Sequence, residues 1–435
     1  MKQNTKKIMV TFTTVCFFIF CFTSIFSLVA ARLDNPALKL WKEVLVIIYY
    51  LLSVFFILLR GKIKVVNLIL GIIIPAFILT TYVISSLGDE LALVLYQFKS
   101  DFIPFFFVLG LVNVFLSFDD GLELYRKLCK TLIIVGIINI GVIIVQKVFT
   151  EWFMVFLQVD EFNNSSRGSG LRLDNVSDNL RAMGTLTSFI GSGTLMVLCF
   201  FVTLESGVVS KKIKIILATA FLAGAIATLY KTAIIGIAAY TIIKLFLIFL
   251  RVDRKLERVI WGGATVTVFF VSMFVFNSYF VYDQVKNTSL HDSAYSSIFI
   301  RVQQHNDIFN DVEKNSLLTG VGIGTNGTEG PSGLKQASKA LDSTYVNVLS
   351  NYGLLGVIVY LVVYLTIMLN IIAKPGIGTN LALVLLFYHL GIEFFTNNIL
   401  MNFPLNLFFY IFIYLSLYYK NSQSRESISP SLSEK

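Results

Sequence analysis

Long apolar runs separated by short polar segments make up most of the chain. A helix that crosses the hydrocarbon of a bilayer needs about 20 mostly apolar residues, and backbone groups in lipid must be satisfied within the spanning structure. The runs of suitable length lie at roughly 8–30, 43–59, 65–86, 101–118, 131–149, 184–205, 213–230, 232–250, 259–280, 350–373, 380–396 and 399–419. The pattern predicts an all-α integral membrane protein with about 12 transmembrane helices.

The composition favours a membrane protein over a soluble one. Hydrophobic residues make up 56% of the chain and charged residues 14%, with a mean hydropathy of +0.77, whereas soluble domains carry about 25% charged residues. The first apolar run is longer than the h-region of a signal peptide, which has about 7–15 residues. We therefore expect this run to remain as the first membrane helix.

Basic residues occur in alternate short segments between the runs. Cytoplasmic loops are enriched in Lys and Arg, and this distribution predicts that both termini are cytoplasmic in the cell membrane, plasma or inner. It also accounts for the net charge of +9 without nucleic acid as a partner. Arg32, Lys39 and Lys42 in the first outer segment are an exception. The basic residues of the inner segments are Arg60, Lys62, Lys64, Arg126, Lys127, Lys130, Lys211, Lys212, Lys214, Arg251, Arg254, Lys255, Arg258, Lys374, Lys420 and Arg425.

Two long polar segments, 150–183 and 281–349, lie outside the cell in this topology, the second before the tenth helix. We expect one polytopic membrane domain, 1–435, with a Ser-rich disordered cytoplasmic tail at 421–435. Catalytic residues are often carried by loops on a rigid scaffold. The two outer segments are therefore where we expect the chemistry.

Neither a metal site nor a disulfide framework is predicted. The cysteines, Cys16, Cys21, Cys129 and Cys199, all lie outside the two long polar segments, and the acidic residues of the outer segments are too scattered for a metal site. The glycines at 320, 322 and 324 follow no strand of a nucleotide-binding fold, so a tight turn is the better interpretation. No cofactor is expected.

The segment 301–360 carries the most distinctive motif. Arg301 opens an amphipathic helix, the turn Leu318-Thr-Gly-Val-Gly-Ile-Gly324 follows, and Asp342-Ser-Thr-Tyr345-Val leads into an apolar run with Gly353 and Gly356. This arrangement resembles the signature of the O-antigen polymerase and ligase family of surface-polysaccharide enzymes.

Two shorter motifs support the resemblance. Arg181-Ala-Met-Gly184-Thr-Leu is similar to the family's R-x-x-G-T-F motif, and Lys231 lies where the family usually has a Ser-Arg pair. Asp342 stands where many members have His. Because that His is associated most with ligases, Asp342 favours a polymerase.

The resemblance implies a glycosyl donor carried on undecaprenyl pyrophosphate. An enzyme acting on it must hold an anionic leaving group and help to deprotonate an acceptor hydroxyl. The implied partners are this lipid-linked oligosaccharide, membrane lipid, a chain-length regulator and a flippase. No nucleotide sugar is needed.

Cations at the outer face are the candidates for binding pyrophosphate. Arginine binds phosphate oxygens bidentately, and preorganised charge is often a large catalytic term. Arg301 and Lys231 are the candidates for catalysis, and Arg181 and Arg172 those for substrate binding. Lys231 lies between two apolar helices, so snorkelling to the interface is its alternative.

Asp342 is the candidate general base, or it orients the acceptor hydroxyl. Its alternative is an N-cap, because Asp is favoured there. His305 lies four residues after Arg301 on the same helical face and could bind phosphate, although a surface histidine is the simpler interpretation. Tyr345, in the same run as Asp342, is a further substrate-binding candidate.

His389 and Glu393 form an i, i+4 pair within a membrane run. Ionisable residues there are functional candidates by default, with helix-to-helix hydrogen bonding as the alternative. Three other functions stay open for the whole chain: a ligase of the same family, a flippase or secondary transporter, and a non-catalytic scaffold. A transporter should have broken helices in matching halves, whereas here the polar residues concentrate in one asymmetric outer loop.

Overall fold

The computed structural model describes residues 2–33, 38, 40–59, 69–85, 91–114, 118–157, 175–176, 179–277, 293–326, 341–397 and 402–418. Arg172, the tail 421–435 and parts of both long polar segments lie outside the described residues. The described residues are almost entirely helical, as the apolar runs predict. One antiparallel pair of two-residue strands, β1 (Asn175–Val176) and β2 (Asn179–Leu180), is the exception within them.

The first half of the chain forms seven described α-helices. A π-helical turn, Ile69–Ile73, leads directly into α4. The helices are α1 (Lys2–Phe20), α2 (Thr23–Arg32), α3 (Trp41–Leu59), α4 (Ile74–Ser85), α5 (Leu91–Val114), α6 (Phe118–Val148) and α7 (Thr150–Leu157).

The second half contains the helices that surround the candidate site. A π-helix, Phe387–Glu393, continues α14 without a break. The helices are α8 (Phe189–Glu205), α9 (Lys211–Ala227), α10 (Lys231–Phe249), α11 (Arg254–Asn277), α12 (Ser293–Asn315), α13 (Thr344–Ala373), α14 (Thr379–Leu386) and α15 (Leu405–Tyr418).

Four of the described helices are long and apolar enough to cross a membrane: α6, α10, α11 and α13. A fifth span results if α1 and α2 are counted together, and α8, α14 with its π-helix, and α15 are shorter apolar helices. The chain is therefore an integral membrane protein. The number of 12 spans and the place of the outer loop stay predictions.

The first predicted run, 8–30, is not one straight helix. The segments Lys6–Phe20 and Thr23–Ala30 meet at 63°. Ser24 donates from its backbone N–H and its hydroxyl to the carbonyl of Thr185, at 3.2 and 2.8 Å. This distant partner fixes the second half in a direction that the apolar pattern alone could not specify.

Two helices also begin earlier in the chain than the apolar runs that predicted them. α5 begins at Leu91, well before the predicted run 101–118, and α6 begins at Phe118 although its apolar run starts at 131. Asp119 and Asp120 occupy the first turn of α6, where negative charge favours a helix N-terminus. Lys6 adds an ion pair to Asp120 at 3.1 Å. Polar residues thus extend helices beyond the hydrophobic segments.

The interior of the bundle is packed around α8. The rings of Phe201 and Tyr240 lie 5.0 Å apart, and Tyr240 stacks on Trp261 at 5.5 Å. Trp261 is fully buried and meets the ring of Phe387 at 5.3 Å. These contacts tie α8, α10, α11 and the π-helix together.

Candidate functional site

Polar side chains converge where the π-helix ends. The residues after it contact the N-terminal ends of α10 and α13 as well as the first turns of α8. The Oγ1 atoms of Thr232 and Thr396 lie 3.5 Å apart, and the backbone N–H and the hydroxyl of Thr344 both donate to the carbonyl of Asn397 at 3.1 Å. The segment 393–397 is therefore the common support of these helices.

Glu393 is the charged residue at the centre of this support. Its side chain is fully buried, and its Oε1 atom accepts hydrogen bonds from the Thr194 hydroxyl and the Asn397 amide, both at 3.1 Å. The Oε2 atom is also buried and has no hydrogen bond of ordinary geometry within the described ranges. Burial of a carboxyl group in an apolar helix is costly unless it is paired or functional.

His389 and Glu393 do not interact as the i, i+4 pair that the sequence suggested. Glu393 bonds to Thr194 and to Asn397. The Nε2 atom of His389 instead lies 2.6 Å from the hydroxyl of Tyr360 on α13. Helix-to-helix hydrogen bonding is thus the role the structure gives His389.

Tyr230 connects the buried carboxyl group to the cations. It immediately precedes α10, is 3% exposed, and interacts electrostatically with both Glu393 and Arg301. Leu229 before it has a positive φ of 56°. This unusual backbone turn reverses the chain between α9 and α10 and places Tyr230 inside the bundle.

Arg301 lies on α12 and is half-buried. Its positive charge acts on Tyr230 and on His305 one helical turn later. The structure therefore brings two of the predicted site residues, Arg301 and His305, to the same side of α12.

Arg181 reaches the same region through an aromatic ring. Its guanidinium carbon lies 4.5 Å from the centre of the Phe189 ring, a cation–π geometry. The Phe189 ring in turn meets Tyr230 edge-on at 6.2 Å. Arg181 is half-buried, so its charge lies over the Phe189 ring, which packs against Tyr230, and is still partly open to solvent.

Lys231 is exposed and is the first residue of α10. The chain places it directly after Tyr230 and before Thr232, which contacts the 393–397 support. Of the four predicted cations, three therefore lie on segments that meet at Tyr230, while Arg172 lies outside the described residues.

His305 is not the surface histidine that the sequence favoured, because its side chain is only 2% exposed. Its Nε2 atom lies 3.2 Å from the Ser343 hydroxyl, and its ring packs against Phe276 and Tyr345 at 5.6 and 5.3 Å. Burial, opposed by the backbone of Phe395 and aided by Arg301, lowers the pKa of His305 to about 4. The imidazole is therefore neutral at pH 7.

Asp342 is exposed and does not cap α13. The N-cap is the next residue, Ser343, whose hydroxyl accepts from the N–H of Val346 at 3.2 Å. Asp342 is instead fixed through its own backbone N–H, which donates to the Gln304 side chain on α12 at 3.2 Å. Its carboxylate remains in solvent at the outer edge of the site.

Tyr345 holds neighbouring segments of the site together through packing and a backbone hydrogen bond. Its ring is half-buried against His305, Phe394 and Phe395, and its N–H donates to the carbonyl of Phe394 at 3.0 Å. This bond joins the first turn of α13 to the segment after the π-helix.

The glycine-rich turn docks on a break in α13. Gly353 interrupts this helix with φ 65° and ψ −165°. The freed N–H of Leu354 donates to the carbonyl of Leu317 at 2.9 Å, and the carbonyl of Ser350 accepts from the N–H of Val321 at 2.8 Å. The sequence predicted the tight turn, but not that it completes the hydrogen bonding of a broken helix.

A second buried polar group was missed by the sequence analysis. The hydroxyls of Tyr82 and Tyr352 both bond to the carboxyl group of Asp101 on α5, and Gln97 adds a bond at 3.0 Å. Asp101 falls at the start of a predicted apolar run. A charged residue in such a position is a signal that could have indicated this cluster.

The site combines three cations at least partly open to solvent with the buried carboxyl group of Glu393. The cations are Arg181, Lys231 and Arg301. Within the described residues no group of three or more His, Cys, Asp or Glu side chains could hold a metal ion. The cavity beside the π-helix, bounded by Thr194, Tyr388 and His389 among others, holds only about 20 Å³. A sugar cannot enter a cavity of this size.

Comparison with known proteins supports the predicted resemblance. Residues 215–361 match the family model described as O-antigen ligase. This segment contains Tyr230, Lys231, Arg301, the glycine-rich turn and Asp342, so the resemblance to the O-antigen polymerase and ligase family is confirmed over these residues, while Arg181 and Glu393 lie outside the matched segment. A search of curated proteins finds no match to the chain.

Proposed function

We propose that this integral membrane protein, whose residues 215–361 match the O-antigen ligase family, is a glycosyltransferase that polymerises lipid-linked oligosaccharide repeat units in surface polysaccharide synthesis. The nascent glycan is transferred from undecaprenyl pyrophosphate to a new lipid-linked repeat. The reaction takes place at the outer face of the plasma or inner membrane, with both termini in the cytoplasm.

The observation that carries the proposal is that three cations lie on segments that meet at Tyr230. Arg301 interacts with Tyr230 electrostatically, Arg181 stacks on the ring that packs against it, and Lys231 follows it in the chain. Such a group of positive charges suits a pyrophosphate leaving group. Preorganised cations stabilise the charge that develops on the leaving oxygen.

Asp342 is proposed to orient the acceptor hydroxyl. Asp342 lies one residue before the cap of α13, its side chain is exposed, and its backbone N–H donates to Gln304 on α12. A solvated carboxylate is a hydrogen-bond acceptor only, which fits an acceptor sugar hydroxyl rather than a phosphate.

A ligase of the same family is the second candidate, because the matching family model is described as O-antigen ligase. Asp342 in place of the histidine associated with ligases favours the polymerase. A flippase is less consistent with charges gathered at one end of the bundle, since transporter sites lie near mid-membrane. A chain-length regulator and a flippase are proposed as partners of the polymerase in the same membrane.

Deletion of the gene in the source cell tests the proposal. Surface glycan and lipid-linked precursors are then resolved by size. We expect single repeats on the lipid carrier and no ladder of polymer lengths, with the ladder restored by the wild-type gene.

The other outcomes identify the alternatives. Long chains that remain on the carrier would identify a ligase. Precursors held at the inner face would identify a flippase, and an unchanged ladder would reject all three functions.

A further inference from the structure

Two amide side chains lie buried on one face of α6. Asn139 and Gln146 are 0% and 1% exposed, and their spacing of seven residues corresponds to about two helical turns. α6 is one of the helices apolar enough to cross a membrane. Polar side chains in such helices commonly bond one helix to another, so the partners of these two amides decide what they do.

Both amides bond to the backbone of the non-helical segment 181–187, which precedes α8. Gln146 Oε1 accepts from the N–H of Gly184 at 2.9 Å, and Gln146 Nε2 donates to the Gly184 carbonyl at 3.3 Å. Asn139 Oδ1 accepts from the N–H and the hydroxyl of Thr185 at 2.7 and 3.0 Å. Irregular backbone in a membrane protein needs such partners, and α6 provides them.

The same stretch of chain is also held on the other side of Arg181. The ammonium group of Lys147, next to Gln146 on α6, donates to the carbonyl of Leu180. A Cβ atom on Gly184 would stand 2.0 Å from Asn139 Oδ1, so the backbone lies directly against the amide. Arg181 is therefore bracketed by bonds to α6 at the residue before it and at the third residue after it.

The charge of Arg181 has no anion among the described residues. Its Nε atom is buried without a hydrogen-bond partner in the described part of the chain, and it takes part in none of the ion pairs found there. Its guanidinium lies over the Phe189 ring. A guanidinium that is fixed in place and can still donate is suited to bind phosphate oxygens.

Asn139 also connects this segment to the helix on which Tyr230 packs. Its Nδ2 atom donates to the hydroxyl of Ser192 on α8 at 2.9 Å. At the next residue, Gly193, a Cβ atom would stand 2.8 Å from the Tyr230 ring. One buried amide thus joins the segment of Arg181 to the part of α8 that supports the residue before Lys231.

We propose that Asn139 and Gln146 are positioning residues for pyrophosphate binding, which fix the segment 181–187 on α6 and so hold Arg181 for the ligand. This inference rests on the proposed function, because the ligand is the pyrophosphate of the lipid-linked donor. Neither amide touches it, since both are buried. They act through the backbone of Gly184 and Thr185.

The test measures equilibrium binding of inorganic pyrophosphate to the purified full-length protein in detergent. Arg181→Gln should raise Kd roughly 10- to 100-fold, the scale for a hydrogen bond to a charged group. Gln146→Met keeps the size of the side chain and removes its polar atoms. It should raise Kd about 10-fold, the lower end of the loss when a group that orients a binding residue is removed.

The double variant separates positioning from general structural support. Gln146→Met combined with Arg181→Gln should bind pyrophosphate no more weakly than Arg181→Gln alone, because residues that act as a unit are not additive. A support that acts independently of Arg181 would raise Kd by the same factor in both backgrounds, and that result overturns the inference.

Asn139→Leu should also raise Kd about 10-fold, and Asn113→Leu is its matched control. Asn113 is a fully buried amide on α5 that donates to the Ser53 hydroxyl at 3.1 Å. Asn113→Leu should lose Tm to a similar degree and keep the wild-type Kd. If Asn139→Leu does not fold, Gln146→Met carries the test, since the side-chain bonds it removes reach only Gly184.

The outcomes also separate this inference from the proposed function. A wild type that transfers glycan but whose Kd is unchanged in Gln146→Met overturns the inference alone, as does a wild type without measurable affinity for pyrophosphate. The expected pattern of Kd values in a protein that transfers no glycan to a lipid-linked repeat supports the positioning role and overturns the proposed function.

Discussion

Gly320 in the glycine-rich turn lies backbone to backbone against Gly353 at the break of α13. A Cβ atom on Gly353 would stand 2.5 Å from the Gly320 nitrogen and 2.3 Å from the Leu318 oxygen. Both glycines have positive φ angles, 84° and 65°. The turn and the broken helix therefore fit together only when neither position carries a side chain, which explains their joint place in the motif.

Gly353→Ala should destabilise the protein strongly. The new methyl group meets backbone atoms that cannot rotate away, and the positive φ adds strain of about 1–3 kcal/mol. We expect a loss of at least about 2 kcal/mol, measured as a fall in Tm of the purified protein in detergent.

Gly263→Ala is the matched control for this prediction. Gly263 lies within α11 and an added Cβ would have nothing within 4 Å. Alanine is favoured over glycine in a helix by about 0.5–1 kcal/mol, so Tm should stay or rise. Equal losses of Tm in both variants would contradict the close backbone packing of Gly353 against the glycine-rich turn as the cause.

His305 should make the stability of the fold depend on pH. Its pKa falls from 6.5 to about 4 on folding, chiefly through burial, so the unfolded chain binds a proton more readily than the folded one. The part of the folding stability that depends on a neutral His305 is complete above pH 6.5 and is lost as the pH falls towards 4. Tm should therefore drop between pH 7 and pH 4.5.

The size of this effect follows from the shift. One pKa unit corresponds to about 1.4 kcal/mol, so the shift from 6.5 to about 4 sets an upper limit of about 3.5 kcal/mol on the stability lost through this residue at low pH. His305→Asn should have a lower Tm at pH 7 and a flatter dependence on pH. A variant with the same slope as the wild type would remove His305 as the cause.

The sequence was sufficient for the helical class and for most helices, because their apolar runs are long. It did not predict the bend between α1 and α2 or the break at Gly353, since both depend on hydrogen bonds to distant segments, at Thr185 and Leu317. A pattern of hydrophobic residues carries no information on such partners.

The sequence predicted the cations of the candidate site but not the contacts of its buried polar residues. Arg181, Lys231 and Arg301 could be identified because they match a motif or interrupt apolar sequence. Glu393 was noticed only as a partner of His389, because residue spacing does not show that His389 bonds to Tyr360 and that Glu393 bonds to Thr194 and Asn397. Buried polar groups acquire their roles from tertiary contacts that residue spacing cannot specify.

Asp342→Asn should reduce transfer without changing stability. The carboxylate is exposed and the cap of α13 is Ser343, so Tm should change little, within about 0.5 kcal/mol of stability. Loss of a hydrogen bond from a charged acceptor is worth about 1.5–3 kcal/mol, which predicts roughly a 10- to 100-fold lower kcat/KM for the lipid-linked acceptor.

The same variant also separates orientation from proton transfer. If Asp342 only orients the acceptor, the dependence of the rate on pH should be the same in Asp342→Asn as in the wild type. A change in that dependence would make Asp342 the general base. Glu313→Gln, an exposed change on α12, is the control and should leave the rate unchanged.

Arg301→Lys tests whether the site needs the guanidinium or only a positive charge. The planar group can bind two phosphate oxygens at once, whereas an ammonium acts as a point charge. We expect transfer to fall roughly 10-fold in Arg301→Lys and about 100- to 1,000-fold in Arg301→Gln, the scale for removing one preorganised donor from a transition state.

Lys314→Gln provides the comparison, because Lys314 is exposed near the end of the same helix and far along it from Arg301. Transfer rates are measured in vesicles whose protein content is equalised, and Tm is recorded for each variant. If all three variants transfer glycan at the wild-type rate, Arg301 does not bind the leaving group. If Lys314→Gln is as slow as Arg301→Gln, the effect belongs to the net charge of α12, and the local geometry around Tyr230 would not be its cause.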